Sequence, residues 1–135
     1  MAEIRPSGTV LVLADDLIWA SRLMAAVQRA GAIAVRLSSA AELEAALAAD
    51  AGAELDAADE RRVAGVVVDL NGRRYEGAAA VARAVAAAKP VIAAAQHDDQ
   101  PTRRLALDAG AQRVFSYAKM HSDGEGVVRR WLGAS

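Results

Sequence analysis

The 135-residue chain contains no cysteine. That removes disulfides, thiolate metal ligands and cysteine nucleophiles together. Aromatic residues make up only 4%, too few for the stacking platforms that hold single-stranded nucleic acid. Neither sign of charge is in excess: 16 Lys and Arg stand against 17 Asp and Glu, a net charge of -1. A general electrostatic grip on nucleic acid is therefore not indicated. No apolar run approaches the roughly 18 to 20 residues of a membrane helix, and the opening Met1-Ala2-Glu3-Ile4-Arg5-Pro6 carries no signal-peptide h-region. The expectation is a soluble, cytoplasmic chain whose partners include neither nucleic acid nor membrane. Hydrophobic residues reach 54% and charged residues 24%, the balance of one globular domain over residues 1–135 with its own core.

The chain is organised around Val66-Val67-Val68-Asp69-Leu70-Asn71. An all-apolar run without alternation fits a strand buried on both faces, as in parallel sheets. Asp69 sits where that strand ends, and the carboxyl ends of strands are where open α/β sheets bind ligands. Similar short runs occur at Thr9–Ala14, Ala32–Leu37, Val91–Ala95 and Arg113–Tyr117. Helical patterns separate and follow them. Ala20, Leu23, Met24 and Val27 mark a helix over Leu17–Ala30 stopped by Gly31, and Ser39-Ala40-Ala41-Glu42 is a capping box. A third helix carries Val81 and Val85 and ends near Lys89, a fourth spans Pro101–Ala109 with Gly110 as its stop, and a last spans Gly126–Leu132. Residues 50–62 read as a helix extension and a charged, exposed loop. Five strand–helix units in strict alternation imply a doubly wound parallel α/β sheet with right-handed crossovers.

Asp15 and Asp16 end the first strand as Asp69 ends the third. If these strands are neighbours, three carboxylates meet at one rim, where they repel and at least one pKa rises. A hard divalent cation such as Mg²⁺, bound by carboxylate and carbonyl oxygens, makes such a cluster useful, and Asn71 can offer a carbonyl.

Leu13-Ala14-Asp15-Asp16-Leu17, Val66-Val67-Val68-Asp69-Leu70-Asn71, Glu76-Gly77 where an Asp-Gly pair is usual, and Ala109-Gly110-Ala111 together resemble the receiver domains of two-component response regulators. The similarity covers essentially the whole chain. It implies a flavodoxin-like (βα)5 fold with strand order 2-1-3-4-5. It also implies Asp69 as phosphoacceptor for a histidine kinase or small phosphodonor, with Asp15, Asp16, Asp69 and the Asn71 carbonyl as Mg²⁺ ligands. Asp16-Leu17-Ile18-Trp19-Ala20-Ser21-Arg22-Leu23 is similar to the opening of a group of degenerate, stand-alone receiver-like proteins.

The pattern breaks in two places. The Ser or Thr that receivers carry at the end of strand four falls on Ala95, and the Lys at the end of strand five falls on Tyr117, with Lys119 two residues later. A charge-assisted hydrogen bond is worth about 1.5–3 kcal/mol, and positioned charges are nearly all that stabilises a transferred phosphoryl group. Losing both partners removes the usual switch. The expected protein is thus an atypical single-domain receiver-like signalling protein rather than an enzyme. In the favoured version it is a pseudo-receiver acting through a partner protein or a homodimer formed by the last two βα units near Trp131. In the other version Asp69 retains Mg²⁺-dependent phosphorylation.

Blander readings stand beside these. Asp15 or Asp16 could simply cap the first helix. His97 and His121 read as exposed loop residues without a third zinc ligand. Gly124-Glu125-Gly126 reads as a turn, and Ser21 and Ser116 lack a His–Asp partner. The rival from another class is a small ligand- or nucleotide-binding domain using the same acidic edge, with Arg73 and Arg74 as anion contacts.

Overall fold

Each apolar run becomes a parallel strand of one sheet. The computed structural model describes residues 8–56 and 58–133; the stretch read above for an h-region, including Pro6, and Ala57 in the charged loop lie outside them. The elements are β1 (Thr9–Leu13), α1 (Leu17–Arg29), β2 (Ile33–Leu37), α2 (Ala40–Gly52) and β3 (Val63–Asp69). They continue with α3 (Gly77–Ala86), β4 (Val91–Ala95), α4 (Gln100–Asp108), β5 (Arg113–Ser116) and α5 (Tyr117–Gly133). The strand order is β2-β1-β3-β4-β5, all parallel, the flavodoxin-like order that the resemblance implies.

Alternation along the strands divides the core in two. Leu11, Leu13, Val66, Val68, Val91 and Ala93 face α2, α3 and α4, meeting Leu43, Leu47, Val81 and Ala106. Val10, Val12, Val67, Ile92 and Ala94 face α1 and α5, meeting Leu23, Val27, Val127 and Trp131. Both faces of the inner strands are covered, which is why they carry no polar alternation. Gly31 and Gly110, the expected helix stops, adopt φ +95° and +113°, left-handed values that glycine tolerates without strain.

Several expectations need correction. The fifth strand stops at Ser116, not Tyr117, because the Ser116 hydroxyl accepts the Lys119 N–H at 3.1 Å and starts a helix there. The last helix therefore begins at Tyr117 and contains a non-helical Asp123 (φ -144°, ψ 33°), so His121 is helical rather than in a loop. Gly124-Glu125-Gly126 is helical too: a Cβ on Gly124 would stand 2.9 Å from Ala26 Cβ, and one on Gly126 would strike the Asp123 carboxylate. These glycines let α5 approach α1 and accommodate the kink. Finally, Trp131 is only 9% exposed. Its ring lies over Gly65, where a Cβ would come within 2.5 Å, and its indole N–H donates to Gln112 Oε1 at 2.8 Å. It packs mostly into the core, and only its edge reaches the surface, where it lines a groove beside β5.

At the amino end of β3, Asp50 accepts the Val63 N–H at 2.8 Å and pairs with Lys89 Nζ at 2.6 Å, while Lys89 also donates to the Val63 carbonyl at 3.1 Å. Burial alone would raise the Asp50 pKa; the Lys89 and Val63 donors outweigh it and hold the carboxyl below its ordinary range. The contribution is therefore present above the ordinary value of 3.8 and is lost as pH falls through the lowered folded value. Asp50→Ala, which strands a nearly buried ammonium and an amide, is expected to cost roughly 2–4 kcal/mol in urea denaturation. Glu44→Ala, which breaks an exposed pair with Arg83, is expected to cost less than about 1 kcal/mol. Equal losses would contradict this assignment.

Candidate functional site

The site grows from the adjacency of β1 and β3, whose register sets Leu13 beside Val68. Alternation from Val67 turns Asp69 towards α1 and α5, and its side chain is 2% exposed. A buried carboxylate requires donors. Asp69 Oδ1 accepts the Asn71 N–H at 3.1 Å and a short hydrogen bond from the Tyr117 hydroxyl. Burial raises the Asp69 pKa, and the charges of Asp15 and Asp16 push in the same direction. The Tyr117 and Asn71 donors offset this only in part. The Tyr117 phenol is raised by burial first and then by its bond to Asp69, so it stays a neutral donor at ordinary pH.

The acidic pair is divided in its duties. Asp16 caps α1, accepting the Trp19 N–H at 2.9 Å. Asp15 Oδ2 accepts both the Arg73 and Arg74 N–H groups at 2.7 Å, tying the loop after β3 to the end of β1. Arg73 and Arg74 thus hold the site through their backbone, with exposed side chains along the same rim. Glu76 caps α3 through the Ala78 and Ala79 amides, and a Cβ on Gly77 would press within 3.0–3.2 Å of Leu70. This gives the Glu-Gly pair its local reason.

Asp15, Asp16, Asp69 and Asn71 line one depression of about 560 Å³, with Trp19, Arg73, Arg74, Gln96 and Tyr117. The oxygen chemistry suits Mg²⁺. Among the described residues, however, no three His, Cys, Asp or Glu side chains form a group that could hold a metal ion. Each carboxylate has one oxygen engaged by a protein donor, Asp69 by Asn71 and Tyr117. Ala95 is wholly buried, and Gln96 rather than Ala95 borders the depression. Lys119 pairs with Asp123 at 3.2 Å at the kink and does not line the site. His97 is exposed in the turn after β4.

Tyr75 escaped the sequence reading, and Trp19, which that reading could place near the acidic edge or in simple packing, has a definite role there. Tyr75 donates its hydroxyl to the Asp69 carbonyl at 2.6 Å and lies 3.2 Å from the Leu13 carbonyl, clamping the two strand ends. Gly72 makes room for it, since a Cβ there would fall 2.1 Å from the Tyr75 ring. Trp19 stacks on Tyr117, with centroids 4.2 Å apart and planes at 28°. The chain has only two tyrosines, and both reach Asp69; that scarcity was the available signal.

No protein-family model and no curated protein sequence matches this chain. Solved structures do. The receiver domain of NtrX from Brucella abortus is 20% identical with a TM-score of 0.73, covering 93% of this chain and 99% of that one. A CheY-like response regulator receiver domain protein from Methanospirillum hungatei JF-1 is 14% identical with a TM-score of 0.72, covering 94% of both chains. The phosphorylated cyanobacterial phytochrome response regulator RcpA is 15% identical with a TM-score of 0.73, covering 95% and 96%. At these identities the likeness establishes the fold, that of a receiver domain.

Because the folded pKa of Asp69 is raised, its ionisation opposes folding. The penalty is absent below the ordinary carboxylate value of 3.8 and complete above the raised folded value. Asp69→Asn keeps an acceptor for Tyr117 and removes the charge. Urea denaturation is expected to show it more stable than the parent by on the order of 1 kcal/mol at pH 7, with the gain shrinking towards pH 4. A loss of stability at pH 7 would show that the carboxylate is favourably held.

Proposed function

We propose that this chain is an atypical receiver-like signalling domain that works in the cytoplasm through protein–protein contact, with Asp69 withdrawn from phosphotransfer. The observation that supports this best is the Tyr117 hydroxyl on Asp69, at the position where receivers carry a lysine. An ammonium both neutralises the acidic rim and binds a phosphoryl oxygen. A phenol offers one neutral hydrogen bond and leaves the rim negative. Ala95 removes the second phosphoryl contact, because no hydroxyl remains at the end of β4 to be drawn towards the site.

Mg²⁺, when bound at such a rim, supplies positive charge to a transferring phosphoryl group. Here Asp15, Asp16, Asp69 and the Asn71 carbonyl would hold it. What the chain's own residues do is compete: Asp15 holds the Arg73 and Arg74 amides, Asp16 holds α1, and Asp69 holds Tyr117. The domain is accordingly read as a binding module and not as an enzyme.

For the contact surface, the last two βα units remain the best face, with Trp131 contributing only the edge of a largely buried ring. Leu105 and Leu107 of α4 are 57% and 44% exposed. A groove of about 630 Å³ at the β5 edge is lined by Phe115, Val127 and the edge of Trp131 with Arg113, Lys119 and Arg130. A partner protein, a histidine kinase or a second copy of the chain would cover this face.

Amide spectra recorded with Mg²⁺, then with Mg²⁺ and beryllofluoride, test the withdrawal of Asp69. The expected result is no saturable shift centred on Asp69. Saturable shifts that disappear in Asp69→Asn would restore phosphorylation as the signal. Sedimentation of the parent beside Leu105→Asp distinguishes the occupants of the face: a parent dimer that the substitution dissociates identifies a second copy, and a monomeric parent leaves a different protein.

A further inference from the structure

The reading above rests on Tyr117 standing over Asp69, but that hydrogen bond does not explain why a half-buried phenol should stay there. The remainder of the contact runs outward. Tyr117 stacks on Trp19, and the Arg22 guanidinium lies 5.0 Å from the centre of the Trp19 ring. Arg22 is exposed and Trp19 half-buried, so Arg22, Trp19, Tyr117 and Asp69 form an unbroken line from the surface of α1 to the buried carboxylate. Trp19 has a fixed base, because its N–H is the group that Asp16 caps. Tyr117 also begins the short helical segment ahead of the non-helical Asp123, and it is attached to the rest of α5 through that kink.

We propose that Tyr117 is a built-in plug for Asp69, and that Trp19, steadied by Arg22, is the residue that keeps it closed. This deepens the proposed function and depends on it for relevance, yet it concerns a mechanical contact that can be measured without any phosphodonor. Trp19 is a positioning residue: it acts on Asp69 only through Tyr117. Two exposed apolar side chains, Leu17 and Ile18 at 72% and 62%, sit immediately before it, so a protein engaging the first turn of α1 would act directly on the plug.

Selective coupling of carboxyl groups to glycinamide with a water-soluble carbodiimide, mapped by mass spectrometry, reads the accessibility of Asp69. The parent is expected to label at Asp69 slowly, and Tyr117→Ala about tenfold or more faster, the ratio that follows from removing a hydrogen-bonded, stacked ring. Trp19→Ala is expected to label nearly as fast as Tyr117→Ala, while Trp19→Phe, which keeps a ring to stack on, stays near the parent. Arg22→Ala, an exposed change that leaves the core intact, gives an intermediate rate and serves if Trp19→Ala does not fold. Labelling of Asp108, exposed at the end of α4 and away from the site, normalises each measurement.

Equal Asp69 rates in the parent and Tyr117→Ala would overturn the plug. So would a folded Trp19→Ala, or where that variant does not fold Arg22→Ala, labelling at the parent rate. The two failures are separable: a beryllofluoride response in the parent removes the proposed withdrawal from phosphotransfer, whereas an unchanged labelling ratio removes the plug and leaves the missing hydroxyl and lysine untouched.

Discussion

One buried carboxylate governs this molecule. Asp69 ends the central strand with 2% exposure, and an ionised group so placed must find donors or lose its charge. The chain answers with the Asn71 amide and the Tyr117 phenol, neither of which carries a positive charge. The Asp69 pKa consequently remains raised. Everything near the carboxyl edge is arranged around that residual cost: Tyr75 clamps the carbonyl of the same residue, and Gly72 gives up its side chain so that Tyr75 can fit. Tyr117 begins a helix instead of ending a strand, and from there its hydroxyl reaches Oδ1.

The sheet supplies the frame for this arrangement. Parallel pairing of β1 with both β2 and β3 brings Asp15 and Asp69, far apart in sequence, to one rim. The Asp15 carboxylate then ties the two segments together by accepting hydrogen bonds from two successive amides of the loop after β3. A single acid thereby fixes the loop that carries Asn71, Gly72 and Tyr75. The opposite end of β3 is secured in the same manner by Asp50 and Lys89, so the strand bearing the site is anchored at both ends.

Most of this frame was legible in the sequence because the signals were local. Val66-Val67-Val68 cannot be an amphipathic element, Ser39 caps its helix through the Glu42 N–H while the Glu42 carboxylate reaches back to the Ser38 N–H, and Gly31 and Gly110 stop their helices. The failures share a cause as well. Gly124 and Gly126 look like a turn to any local rule, yet their missing side chains serve the packing of α5 on α1 and the room taken by Asp123. Trp131 looks like an outward anchor because nothing near it in sequence announces that Gly65, sixty-six positions earlier, lies under its ring. Tyr75 and Trp19 acquire their roles only through partners on other elements. Alternation and capping are written in neighbours; clamps and stacks are written in contacts.

The substitution of a phenol for an ammonium at the end of β5 changes more than one bond. With a lysine there, the rim would carry a cation able to follow a negative group that arrives at Asp69, and rim and strand end would be coupled through charge. Tyr117 cannot follow charge, since its own proton is held more tightly the nearer it stays to Asp69. Its position is decided instead by shape: by the ring it stacks on and the kinked helix it begins. Under the proposed plug, control of the carboxylate would pass from whatever binds at the rim to whatever touches the first turn of α1.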